Sequence, residues 1–166
     1  MPTRIPMPIP ETIREVLGDL LDRHVAVAKS EPAKDDDEPV AWHTLADFTM
    51  DDGSVAACVL ADLEVSAALG AALTMVPPGI VNESVTAGRL EADTLSENYA
   101  EVLNVMTRAC STATTRRTCG GVRCRSSPRR RRPTTPRAWS TSRRPAVTLD
   151  VDIEGYGSGR LAVIVV

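Results

Sequence analysis

Residues 110–144 contain no Asp or Glu and show no hydrophobic periodicity, so they split the foldable sequence of this chain into two blocks. The stretch reads CSTATTRRTCGGVRCRSSPRRRRPTTPRAWSTSRR. The acid-free region runs over 102–149 and holds 12 Arg, whereas residues 1–101 carry 19 acids against 6 Lys and Arg. The formal net charge of −3 is thus a near-cancellation between two oppositely charged regions. A fold has to be built from 1–109 and 146–166, with the arginine-rich part carried as an interruption.

Two origins account for that interruption. One is a disordered basic segment that binds nucleic acid or an acidic partner. The other, which is the expectation here, is translation out of frame. Arg, Pro, Ser, Thr, Ala and Cys dominate when a GC-rich coding sequence is read in the wrong register. A one-base shift turns the codons of Trp139-Ser140-Thr141-Ser142 largely apolar, and those of Arg129–Arg132 into small residues such as Ala. The ordinary pattern resumes near Ala146, which requires a second, compensating shift. A nucleic-acid ligand is not expected, because the acidic remainder of the chain repels it. Resequencing the gene from independent clones decides between the two origins.

The length of 166 residues suits one domain with a single core. Aromatics make up only 3% of the chain, so Leu, Val, Ile, Ala and Met must fill that core. No apolar run reaches the roughly 20 residues of a membrane span. The N-terminus, MPTRIPMPIP, lacks the apolar stretch of a secretory signal, and the protein is expected to be cytoplasmic. The four cysteines do not read as a zinc site: Cys119 and Cys124 have four residues between them, and the only histidines, His24 and His43, lie far upstream.

Helical spacing runs through 10–25, where Ile13, Val16, Leu17, Leu20 and Leu21 form one stripe. A charged loop is expected at 28–39, followed by strands at 40–48 and 54–62 around an Asp51-Asp52-Gly53 hairpin turn. Asp62 is placed to N-cap a helix over 63–76, which Pro77-Pro78-Gly79 stops. A short helix follows Asn82. Two C-terminal strands, 147–153 and 160–166, flank the turn EGYGSG.

Thr94 and Glu97 fit a capping box that starts a helix at Leu95. Leu95, Tyr99, Val102, Met106 and Ala109 then recur at steps of four and three and make a buried stripe. Glu97, Glu101, Asn104 and Arg108 share a different face by the same spacing, so Glu101 and Asn104 sit side by side facing outward. Asn is a poor helix former, because its amide competes for nearby backbone groups. Its presence between aliphatics at 103 and 105 raises the question of chemistry.

This order of elements, with Glu101-x-x-Asn104 on an exposed helix, resembles the CheC/CheX family of chemotaxis phosphatases, and its single-site CheX branch more than CheC. The family motif is Asp/Ser-x-x-x-Glu-x-x-Asn. Position 97 is Glu, and Asn104-Val105-Met106 looks like the Asn-Met-Ile that follows in the family. The resemblance covers about 1–109 and 146–166. It implies one α/β (α+β) domain over 1–166, with helices on an antiparallel or mixed sheet, interrupted at 110–144. It implies hydrolysis of the aspartyl phosphate of a CheY-type response regulator, with Asn104 holding the attacking water and Glu101 docking on a partner lysine. Glu97 and Arg108 are expected to contact the partner. No cofactor of the chain's own is implied, since the Mg²⁺ sits on the regulator, and a homodimer is plausible for the family. The alternative within the same fold is a non-catalytic adaptor that binds a response regulator or the flagellar switch.

Overall fold

The computed structural model describes residues 7–31, 40–50, 53–90, 93–110, 121–126 and 146–166. Pro10 opens α1 (Pro10–Leu21), where its missing N–H costs nothing and its fixed φ suits the first turn. Ile13, Leu17 and Leu21 are its buried stripe. The helix was expected to reach residue 25, but Asp22 turns into the left-handed region (φ 49°) and ends it. Val25 continues the apolar spacing for a different reason: it begins β1 (Val25–Lys29), a strand lying where the helix end and the loop were expected. Strand alternation in Val-Ala-Val-Ala-Lys is too short to stand out beside the preceding helical stripe.

β2 (Thr44–Thr49) and β3 (Val55–Ala61) form the expected hairpin, with Gly53 at φ 82° in its turn. β2 starts later than expected, at Thr44. α2 (Leu63–Leu73) follows directly and is buried almost all round. Asp62 is its N-cap as expected, accepting from the Val65 N–H at 2.9 Å. Its second oxygen accepts from the Arg160 N–H at 2.6 Å, tying the helix start to the C-terminal strand. Burial pushes the Asp62 carboxyl up, while those two donors pull it down. Asp62→Ala removes the cap and orphans both N–H groups, and is expected to cost about 2 kcal/mol in urea unfolding. A loss within error of zero would mean that water replaces both bonds.

α3 (Gly79–Ala87) begins four residues before the expected start at Glu83, because the Pro77 and Pro78 carbonyls accept its first N–H groups at Ile80 and Val81. α4 (Asp93–Cys110) carries the buried stripe read from the sequence: Leu95, Tyr99, Val102 and Met106 are at most 1% exposed. The capping box does not form, since the helix already includes Asp93 and Thr94 lies inside its first turn. Ala109 falls outside the residues whose side chains are described.

β4 (Gly121–Ser126), β5 (Ala146–Ile153) and β6 (Gly157–Val165) complete one antiparallel sheet in the order β1-β5-β6-β3-β2-β4. Every pairing among the described residues is antiparallel, so of the two expected arrangements the sheet they form is the antiparallel one. β4 lies within the stretch expected to be disordered. Its pairing partner explains it: without β4, the outer edge of β2 would present a row of unpaired backbone groups, and a backbone ladder is indifferent to arginine side chains. The register sets Arg123 opposite Asp47. Residues 111–120 and 127–145, including the four-arginine run and Trp139, lie outside the described residues.

Alternate residues of the strands point into the core: Ala46 and Phe48 on β2, Ala57 and Val59 on β3, Leu149 and Val151 on β5, Leu161 and Val163 on β6. The helices cover that face. No helix among the described residues is long and apolar enough to cross a membrane.

Candidate functional site

α4 is held in place by three features that its own stripe does not reveal. The first is Gly70 in the middle of α2. A Cβ there would run into the backbone carbonyl of Leu95, so glycine is what lets the two helices approach this closely. The second is Asn98. The Thr74 N–H at the end of α2 bonds to the Ala72 carbonyl, leaving the Gly70 carbonyl without its usual helical donor. Asn98 supplies one, its amide donating to that carbonyl at 3.0 Å and lying 2.7 Å from the Thr74 hydroxyl. An asparagine on one helix thus caps the C-terminal end of another.

The third is a buried chain of hydroxyls. Tyr99 Oη lies 3.0 Å from Thr44 Oγ1, which lies 3.3 Å from Ser66 Oγ, which donates to the Asp62 carbonyl at 2.6 Å. It links α4, β2 and α2, and it explains how a tyrosine only 1% exposed satisfies its hydroxyl. Tyr99→Phe keeps the ring and removes one link. It is expected to cost about 1 kcal/mol in chemical denaturation. Unchanged stability would mean that Thr44 and Ser66 satisfy each other fully.

With its inner face fixed, α4 presents Glu97, Glu101 and Asn104 to solvent. The expected outward pair is formed: Asn104 Nδ2 donates to Glu101 Oε2 at 3.3 Å. Both side chains are exposed, and the Asn104 backbone carbonyl accepts from the Thr107 hydroxyl at 2.6 Å. That local bond holds the turn that follows the pair. Glu97 shares the exposed face one turn earlier but makes no hydrogen bond or ion pair with the two among the described residues. The side chain of Arg108 lies outside the described residues, although its backbone belongs to α4.

Chemically, this pair offers an amide that can both donate and accept, beside a carboxylate that can only accept. Both groups lie exposed on one face of α4. The sequence signals for Asn98 and Gly70 were slight. An i, i+3 look at Leu95 and Asn98 places both on the side toward a neighbouring helix, but only the packing shows which carbonyl is orphaned.

No family model and no curated protein matches this sequence. Solved structures do match the fold. A chain of the FliM–SpeE complex from H. pylori superposes with a TM-score of 0.58 at 9% identity, over 94% of this chain and 80% of that one. The chemotaxis protein CheX from Vibrio vulnificus gives 0.50 at 8% identity, over 93% of both chains. A chemotactic CheC-like protein from Shewanella oneidensis MR-1 gives 0.50 at 10% identity, over 93% of this chain and 92% of that one. Identities this low speak for architecture, and the architecture agrees with the resemblance read from the sequence. Helices packed on one antiparallel sheet make this the CheC/CheX-like fold.

Proposed function

We propose that this chain is a CheX-like phosphatase that accelerates hydrolysis of the aspartyl phosphate of a CheY-type response regulator. The observation that carries the reading is the exposed, hydrogen-bonded Glu101–Asn104 pair on a rigidly packed helix of a CheC/CheX-like fold. An aspartyl phosphate is already labile, and the regulator supplies its own Mg²⁺. What a second protein adds is a water held in line with the leaving oxygen. Asn104 can hold that water without titrating, and Glu101 can pair with a lysine of the regulator. Glu97 extends the same exposed helix face toward the partner, and Arg108, one turn after Asn104 in the chain, is a further proposed contact. The reaction asks this chain for neither a nucleophile nor a metal.

A second reading keeps the docking and drops the chemistry: an adaptor that binds the regulator without hydrolysis. It rests on the same exposed Glu101–Asn104 pair, which can seat a partner without positioning a water. The decay of a phosphorylated CheY-type regulator, followed with and without this protein, separates the two. Acceleration supports the phosphatase. Binding to the beryllofluoride-loaded regulator with no acceleration identifies the adaptor.

A further inference from the structure

We infer that Glu101 is a positioning residue for Asn104, selecting which end of its amide faces the substrate; this role rests on the phosphatase reading above. The two ends of an Asn amide are nearly the same shape, so an exposed Asn turns over easily. Here one end is claimed. Asn104 Nδ2 lies 3.3 Å from Glu101 Oε2, and an ionised carboxylate has only acceptors to offer. The near atom therefore has to be nitrogen, which leaves the carbonyl oxygen Oδ1 as the end of the amide that Glu101 does not engage.

That orientation matters for the water. The attacking oxygen needs its lone pair aimed at phosphorus and its O–H aimed at an acceptor. Oδ1 accepts from that O–H, which leaves the lone pair free and enriches the oxygen. The flipped amide would donate an N–H into the lone pair and compete with attack. In the step itself, the water oxygen forms the new bond to phosphorus and the bond to the regulator's aspartate breaks. That aspartate leaves as a carboxylate, and the water proton departs with inorganic phosphate or to solvent. Asn104 neither gains nor loses a proton. Glu101 keeps its other oxygen for a cation of the partner, so orienting and docking are compatible within one carboxylate.

The test is a double-mutant cycle on the rate at saturating phosphorylated CheY-type regulator. Glu101→Gln keeps the shape but offers a donor as well as acceptors, so both amide orientations are populated. The expected result is a fall in kcat of about tenfold, the scale of one charge-assisted hydrogen bond. Added to Asn104→Ala, the same change is expected to lower kcat no further, because the group it acts through is gone. Affinity for the beryllofluoride-loaded regulator, measured in parallel, reports the docking role separately. A Glu101→Gln variant with raised KM and unchanged kcat overturns the inference, as do effects that multiply in the double variant. A folded wild-type chain with no acceleration at all is a different outcome: it removes the phosphatase reading itself, and this role with it.

Discussion

With Asn104 changed to alanine, acceleration of regulator dephosphorylation is expected to fall about 100-fold while the melting temperature stays put. Losing the group that positions a reacting water, or displacing it by about 1 Å, costs on the order of 10²-fold. The stability side follows from exposure. Asn104 is on the surface, and among the described residues its side chain bonds only to Glu101, another exposed group. Substitutions at such sites shift stability by about ±0.5 kcal/mol. Alanine is also the better helix former, so the small change is expected to be a gain. The test is single-turnover decay of the phosphorylated regulator alongside a thermal melt. A variant as active as the wild type would show that the amide is not the water-holding group. A variant that is inactive and also unstable would place Asn104 in the structural frame instead.

Gly70→Ala is expected to destabilise the protein by about 2 kcal/mol, the opposite of what helix propensity predicts. In an exposed helix, replacing Gly by Ala gains up to about 1 kcal/mol. At Gly70 the new methyl meets the Leu95 carbonyl, which is backbone and cannot rotate aside. Relief requires α4 to move away from α2, and that pulls Asn98 from the Gly70 carbonyl and the Thr74 hydroxyl. The site moves with the helix, so a loss of activity is expected even under conditions where the variant is fully folded. Urea unfolding gives the sign. A stabilised Gly70→Ala would mean that the two helices are further apart than their packing indicates.

Much of this was legible along the chain. The apolar stripe of α4 is a matter of spacing, and spacing is local, so Leu95, Tyr99, Val102 and Met106 were placed correctly from sequence. The same spacing put Glu101 and Asn104 together on the opposite face, where they are hydrogen-bonded. Asp62 was readable as a cap because its side chain bonds within three residues. The misplaced features share a cause. Val25 fits the helical stripe as well as it fits a strand, and its pairing with Ile153, far along the chain, decided the matter. Thr94-x-x-Glu97 satisfied a local motif, yet the helix starts earlier at Asp93.

The two faces of the motif helix are written in the chain, because amphipathic period and side-chain chemistry are local properties. The tertiary structure alone decided what holds that helix still. Asn98 reads as one more polar residue until the Gly70 carbonyl of another helix loses its donor, and Gly70 reads as a helix weakness until Leu95 arrives against it. β4 likewise has no periodicity of its own, and its conformation comes from the open edge of β2. In each case the deciding energy lies in a contact between residues far apart in the chain, and such a contact leaves no period for a sequence to display.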